Sequence, residues 1–328
     1  MAKNALSWLL LVAAVLLLLL PLLPPQAASW LLVVGYAALP IILANTLAAI
    51  MRKSPWCWAH LATVLLSLPL LYNYIPLIPR KAKTATRPIK IISWNVDNFL
   101  VSTDTMRHSA QYLRSQHPDI ICLQERPHEV KVAWTDILDA LPQHRHAVRN
   151  CHEDEVLNLA ILSRHPIISS GERTFEDTYN KYMWADVLIG TDTLRVYSVH
   201  LQTTGTTPSA AKESTGIVHA LGTAAHNAAM RDEQALQLCH DIDDSPHPVV
   251  VCGDFNDTPS GYPARRLRRH LIDLSRRWPL SGTFQDMGGI MKIDYMMCSN
   301  QLRPLRYRLG DTPWSDHKVQ LGEMEIVL

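Results

Sequence analysis

The chain has 328 residues, with 31 Lys and Arg against 30 Asp and Glu and a formal net charge of +1. So even a balance excludes a polycation that grips nucleic acid through bulk charge. Hydrophobic residues make up 48% of the chain but are unevenly spread: the first eighty residues hold no Asp or Glu and few bases, whereas the rest has ordinary globular composition and fits one large domain.

Taken in chain order, three apolar runs come first, at 6–23, 30–51 and 56–78. Each is close to the roughly 20 residues that cross a bilayer as a helix. None contains Asp, Glu, Lys or Arg, and Trp8, Trp30, Trp56, Trp58, Tyr72 and Tyr74 lie near the run ends, where interfacial aromatics belong. A signal peptide followed by core helices would explain one run only, and none shows a good cleavage site. Residues 1–79 are therefore expected to be a membrane anchor of three transmembrane helices, 80–88 a basic linker, and 89–328 a catalytic domain. Charge leaves the orientation open: Arg80, Lys81, Lys83, Arg87 and Lys90 favour a cytoplasmic domain, whereas Lys3, Arg52 and Lys53 favour the opposite.

Eight apolar, β-branched runs then read as strands: "IKIISWNV", "DIICLQE", "LNLAILS", "WADVLIG", "LRVYSVHL", "PVVVCGDFN", "KIDYMMCS" and "KVQLGEMEIVL". Helical spacing appears in "TDTMRHSAQYLRSQ", with Thr103 or Asp104 as cap, and in "HNAAMRDEQALQLCHDID". Residues 202–216 are polar and turn-rich and read as a surface loop. Of the six cysteines none forms a CxxC pair, which argues against a zinc knuckle. Cys122, Cys252 and Cys298 sit in apolar runs as small core residues. The fold class is α/β (α+β), with too many strands for one modest sheet and helices left over to cover two.

Polar groups recur at the strand ends. Asn95 closes "IISWN", Glu125 closes "IICLQE", His200 and Gln202 close "VYSVHLQ", and Asp254 and Asn256 close "VVVCGDFN". Asp294 lies near the start of "KIDYMM", and Asp316 and His317 precede the last strand. Clustered carboxylates in a partly dry pocket repel unless protonated or shared by a cation. An oxygen-rich, sulfur-free set suits Mg²⁺ or Mn²⁺, which pairs naturally with phosphoester chemistry.

The ordered set S-x-N, L-Q-E, H-L-Q, G-D-F-N-D, I-D-Y and S-D-H, spread over 89–328, resembles the endonuclease/exonuclease/phosphatase family of metal-dependent phosphoesterases, in a membrane-anchored bacterial form. The resemblance implies a four-layer αββα sandwich of two mostly antiparallel sheets, and hydrolysis by in-line attack of water on phosphorus. It implies Glu125 as the main metal ligand, Asn95 beside it, and Asp316 completing that site or a second one. It implies Asp254 to orient or deprotonate the water, Asn256 to donate to the phosphoryl oxygen, His200 to bond a non-bridging oxygen, and Asp294 to pair with His317. Gln202, Phe284, Arg265 and Arg266 are candidate substrate contacts, each with a structural role as the alternative. The glutamate that orients the first histidine in the deoxyribonuclease branch has no clear counterpart; Glu155 and Asp186 are the candidates. "HEDE" at 152–155 reads as a solvated loop.

The expected function is a Mg²⁺- or Mn²⁺-dependent phosphodiesterase integral to the bacterial inner membrane. A nuclease comes first, because an arginine-rich edge at 265–269 could track a phosphate backbone. A phospholipid or headgroup phosphodiesterase comes next, and a non-catalytic module that binds phosphorylated ligands is the reading of another class. The expected partners are a phosphodiester substrate, nucleic acid or phospholipid, and the lipid bilayer around the N-terminal helices; no protein partner is inferable.

Overall fold

The protein is described here by a computed structural model covering residues 2–23, 31–51, 55–74, 88–150, 157–176, 178–205, 217–277, 282–289 and 291–327. The linker bases Arg80, Lys81, Lys83 and Arg87, the loop bases Arg52 and Lys53, the "HEDE" stretch and most of the 202–216 loop lie outside the described residues.

Each of the eight apolar runs forms a strand, and four further strands flank them. In chain order they are β1 (Ile89–Asn95), β2 (Ile120–Arg126), β3 (His146–Arg149), β4 (Asn158–Ser163), β5 (Ile167–Thr174), β6 (Lys181–Ile189), β7 (Asp192–His200), β8 (Val249–Asp254), β9 (Ile272–Asp273), β10 (Asp294–Cys298), β11 (Leu302–Gly310) and β12 (Val319–Ile326). They make two six-stranded sheets, ordered β11-β12-β1-β2-β4-β3 and β5-β6-β7-β8-β10-β9. Pairing is antiparallel except for one parallel pair in each sheet, β1 with β2 and β7 with β8. That exception places the ends of β1, β2, β7 and β8 on related edges, which is what assembles the site.

Because the central strands are buried on both faces, their side chains fill three apolar layers. Ile91, Ile120, Cys122, Leu159, Val196, Val250, Cys252 and Met296 lie between the sheets. On the outer face of the first sheet, Trp94, Leu123 and Leu162 pack with Leu113 and Ile137. On that of the second, Tyr197, Val251 and Met297 pack with Leu238 and Leu267. The αββα sandwich expected from the sequence is the result. Ser102, one residue before the expected cap, accepts from the Thr105 N–H at 3.3 Å to start the helix Thr103–Ser115. The second expected helix begins at Ile217, well before His226, and runs to Asp243. Beyond His226, its Ala228 and Asp232 line a small pocket together with Leu20 and Gly35 of the N-terminal segment.

Those helices, in chain order, are α1 (Ala2–Leu19), α2 (Leu32–Tyr36), α3 (Ala38–Met51), α4 (Trp56–Leu66) and α5 (Leu68–Tyr74). Three uninterrupted spanning helices were expected. Only one stretch among the described residues, Asn4–Leu22, is long and apolar enough to cross a membrane, a property anchors share with signal sequences. The second and third runs break at Ala37 and Ser67. Pro40 and Pro69 cause the breaks: each lacks an N–H and clashes with the carbonyl four residues back, at Tyr36 and Leu65. Helical bonding resumes beyond, with Ile41 N donating to Ala37 O and Leu71 N to Ser67 O, both at 2.9 Å.

The helices bury a small apolar core of Leu17, Ala38, Ile42 and Leu70, yet leave many large apolar side chains outside and some polar ones inside. Leu9, Leu22, Leu43, Ile50, Trp58 and Leu66 are exposed, whereas Ser7, Asn45 and His60 are buried. Ser7 Oγ lies 3.0 Å from His60 Nε2, and His60 Nδ1 lies 2.8 Å from Asn45 Oδ1. One end of this bundle rests on the sandwich: Arg276 lies over the Tyr72 ring at 3.9 Å and donates to Tyr72 O at 3.1 Å.

Candidate active site

The strand register does most of the assembly. His200 is level with Asp254 across the parallel β7–β8 pair, and Asp294 is level with Asp254 across the antiparallel β8–β10 pair. All three therefore stand abreast at one edge of the second sheet. The parallel β1–β2 pair brings Asn95 and Gln124 abreast in the first sheet, with Glu125 next. The loop before β12 is tied to this edge by Trp94 Nε1 donating to His317 O at 3.0 Å and by Ser315 Oγ donating to Asn95 O at 2.7 Å.

Local backbone geometry aims the side chains. Glu125 has φ 51° and lies in an irregularity of the β2–β4 ladder between Leu123 and Arg126. A non-glycine residue in the left-handed region is strained and is kept where the surroundings over-determine it. Asn256 has the same φ. At Gly253, φ is 140° and a Cβ would stand 2.0 Å from Val199 O, so only glycine lets β8 lie this close to β7.

Asn95 is the hub. Its Nδ2 donates to Glu125 Oε1 at 2.8 Å and to Asp254 Oδ2 at 3.2 Å. His200 Nε2 lies 3.0 Å from Glu125 Oε1, and His317 Nδ1 lies 3.0 Å from Asp294 Oδ2. His317 Nε2 is 3.7 Å from Asp254 Oδ2 and 3.8 Å from Asp316 Oδ1. Asp254 Oδ1 accepts the Asn256 N–H at 2.8 Å, which leaves Oδ2 facing the cluster. The Asn256 side chain donates to Leu201 O at 2.9 Å, which engages one of its two amide hydrogens.

The charges are strongly coupled. Burial works to raise the Glu125 pKa, but bonds and charge from His200, with the Asn95 bond, hold it down to about 2. Burial and then the Asp294 carboxylate push Asp254 up to about 6. Burial disfavours a charged His317, yet Asp294 and Asp254 outweigh it and raise the ring to about 10, an imidazolium at neutral pH. Asp97, two residues beyond Asn95, is raised to about 6 by burial and by the Asp316 and Glu125 carboxylates.

That repulsion tests the fit of a metal. Asp97, Glu125 and Asp316 act on one another as like charges, and Glu125, His200 and Asp254 place one ligand atom each within 4.8 Å of the others. Oxygen donors that repel without a cation fit a hard divalent ion.

Residues 92–317 match the profile of the Endonuclease/Exonuclease/phosphatase family. The chain belongs to this family. Solved structures with the same fold include an endonuclease/exonuclease/phosphatase from Beutenbergia cavernae, 17% identical over 74% of this chain and 72% of that one, with a TM-score of 0.57. TDP2 from D. rerio, complexed with single strand DNA product, is 16% identical over 73% and 99%, with a TM-score of 0.53. The human Nocturnin catalytic domain, with bound sulfate anion, is 16% identical over 73% and 94%, with a TM-score of 0.54. At these identities the likeness is one of fold. No curated protein matches the chain.

Membership of the endonuclease/exonuclease/phosphatase family makes the placement of the remaining candidates informative. Phe284 joins the cluster edge-on to His317, with ring centroids 5.1 Å apart. Gln202 has a supporting place instead: its Oε1 accepts from Thr178 Oγ1 at 2.5 Å and Asn180 Nδ2 at 2.6 Å. Arg265 lines a pocket against the N-terminal helices with Asp232 and Asp257, and Arg266 acts on Cys239, so neither faces the cluster. Among the described residues, the orienting partner of His200 is not the candidate Asp186. Asp186 is bound bidentately by Arg195 at 2.7 and 2.8 Å, and Glu155 lies outside the described residues. Asn180 takes the place: its Oδ1 accepts from His200 Nδ1–H at 2.7 Å. A neutral amide in a loop carries no charge signal, and only its position against β7 gives it away. Asn180→Leu should lower turnover of a soluble phosphodiester about 10- to 100-fold, the cost typical of losing a supporting partner, while Asn180→Asp, which keeps the acceptor, should retain most of it.

Proposed function

We propose that this chain is a membrane-tethered, divalent-metal-dependent phosphodiesterase. The observation that carries the reading is the convergence of Asn95, Glu125, His200, Asp254, Asp294 and His317 at one edge of the sandwich, bonded to one another as described. Glu125, with Asn95, Asp97 and Asp316 nearby, would hold Mg²⁺ or Mn²⁺, and the ion would supply Lewis-acid polarisation of a phosphoryl oxygen.

The chain's own groups divide the remaining work. Asp254, buried with Oδ2 open to the cluster, orients a water and accepts its proton as the water attacks phosphorus. The His317 imidazolium, fixed by Asp294, directs its Nε2–H at a non-bridging oxygen, where negative charge grows. His200, held by Asn180, donates through Nε2. The free Asn256 amide hydrogen faces the same developing charge. The water adds to phosphorus as the ester oxygen leaves, with no covalent enzyme intermediate.

Tethering is supported by the apolar exterior of the N-terminal helices, which leaves large side chains such as Leu9, Leu43, Ile50 and Trp58 exposed while Ser7, Asn45 and His60 are buried beside an apolar core. The nuclease reading loses its carrier, because Arg265 and Arg266 turn inward and Arg268 binds Asp273 at 2.8 Å. The test is metal-stimulated release of 4-nitrophenol from bis(4-nitrophenyl) phosphate by the full chain. Release that needs Mg²⁺ or Mn²⁺ is expected; no release with either ion, on this ester, DNA or phospholipid, would leave only a phosphate-binding module.

A further inference from the structure

Three features of the edge that bears the cluster concern what lies against it. The first is the docking of the N-terminal helices. The Tyr36 hydroxyl lies 2.7 Å from Thr204 Oγ1 and donates to the Asn256 carbonyl at 3.2 Å. Thr204 follows β7 and Asn256 follows β8, so Tyr36 abuts the loops that lead directly out of His200 and Asp254. Leu22, three residues past α1, is exposed, and Leu20 near it lines a pocket with Ala228 and Tyr262 of the sandwich.

The second feature is an apolar rim. Leu100 and Val101, 50% and 52% exposed, follow β1; Val130, 88% exposed, follows β2; and Tyr179, 56% exposed, precedes β6. The first residue of β6, Lys181, is in register with His200, so Tyr179 stands at the cluster's edge too. Bare side chains of this size on three separate loops around one polar cleft are an exposed patch, and such patches mark interaction sites.

The third feature is how the rim is held. Asp97, Asn98, Phe99, Leu100 and Val101 all have φ between 40° and 55°, a left-handed turn built without glycine. Such a turn is sterically costly, most of all for a β-branched valine. It buries Phe99, brings Asp97 to the cluster and turns Leu100 and Val101 to the outside. Strain maintained to expose two apolar side chains beside a catalytic cluster calls for something apolar to receive them.

From the shared edge, we infer that the active-site face lies on the same bilayer that receives the N-terminal helices, with Leu100, Val101, Val130 and Tyr179 in its headgroup layer, and that the substrate is a phosphoester amphiphile of that bilayer. The catalytic part of this rests on the phosphodiesterase reading above; the surface part rests on the rim and the helix ends. A polynucleotide would want cations around the cleft. Among the described rim residues Lys131, exposed beside Val130, is a single cation among apolar neighbours, and Arg276 is stacked on Tyr72. Apolar side chains in the headgroup layer bind in proportion to the area they bury.

The test uses the full chain in vesicles of phosphatidylethanolamine and phosphatidylglycerol. Leu100→Gln and Val130→Gln are outside the catalytic cluster; together they should lower hydrolysis of the vesicle phosphatidylglycerol by about tenfold while leaving bis(4-nitrophenyl) phosphate turnover within about twofold, which also shows that the fold survives. Unchanged lipid hydrolysis in the double variant, or faster cleavage of single-stranded DNA than of lipid, would overturn the inference. If neither lipid nor soluble ester is hydrolysed, the phosphodiesterase reading fails, and the surface is judged by crosslinking alone. Benzoylphenylalanine substituted at Leu100 or Val130 should crosslink to radiolabelled vesicle lipid. At Thr191, in the turn between β6 and β7 at the opposite edge, it should not. Absence of crosslinks at both rim positions would refute the surface irrespective of activity.

Discussion

Replacing Asp254 by Asn should reduce kcat for a soluble phosphodiester by about 10³-fold or more, with KM changed little. The side chain is buried, its Oδ1 is fixed by the Asn256 N–H, and its Oδ2 is the carboxylate oxygen left to face an attacking water. Asn is nearly the same size, so the sandwich should persist, yet an amide cannot take the proton. The carboxylate accepts the Asn256 N–H on Oδ1 and the Asn95 N–H on Oδ2, and the single amide oxygen of Asn can keep only one of these two bonds. Steady-state kinetics together with circular dichroism separates loss of the base from loss of the fold. A variant that keeps turnover within a few-fold would remove Asp254 from the role given to it.

The second large effect should come from the Asp294–His317 pair. His317→Gln should cost about 10²- to 10³-fold in kcat, since an imidazolium aimed at the growing phosphoryl charge is lost. Asp294→Asn should cost less at low pH and more at high pH, and the sign follows from the charges. Burial alone would lower the His317 pKa, and Asp294 is the main group that raises it, to about 10. Without that carboxylate the ring gives up its proton at lower pH. Wild-type activity should rise through about pH 6 as Asp254 loses its proton and then hold level through neutral pH, whereas activity of the variant should fall again as pH rises through the neutral range. A pH profile of kcat for both proteins checks this; parallel profiles would show that Asp294 does not govern His317.

The way the chain could and could not be read has physical reasons. All eight strands legible as apolar runs are interior strands of the two sheets, buried on both faces and therefore written in Val, Ile and Leu. The four that were not, β3, β5, β9 and β11, are the four sheet edges. An edge strand faces solvent and carries polar residues or breakers that block further pairing, as in β5, "IISSGERT", and β11, "LRPLRYRLG" with its irregularity between Pro304 and Arg306. Such segments lose the pattern by which strands are recognised. The two interrupted apolar runs at the N-terminus read as continuous helices for the opposite reason: composition averages over a window, and it passes over a single proline that breaks the helix.

The site divides in the same way. Asn95, Glu125, His200, Asp254, Asp294 and His317 were legible because several charged or amide groups recur at or beside the ends of apolar strands, a pattern that turn or core roles explain one by one but not together. Asp97 and Asn180 sit in loops where Asp and Asn are commonplace turn residues, so only three-dimensional contact distinguishes them. The arginines at 265–269 misled because a charge run says nothing about direction. On a short helix wedged between the sandwich and the N-terminal helices, Arg265 and Arg268 find internal partners instead of a ligand.

The claim on which everything else depends is that a divalent cation is held by Glu125 at this convergence of strand ends. Electron paramagnetic resonance of Mn²⁺ titrated into the full chain, with turnover of bis(4-nitrophenyl) phosphate followed in the same samples, measures this most directly. Mn²⁺ should be bound by the wild type and bound far more weakly by Glu125→Gln, with turnover lost in step and abolished by a chelator in the wild type. Equal Mn²⁺ binding by the two proteins, or turnover that persists with the chelator present, would contradict it.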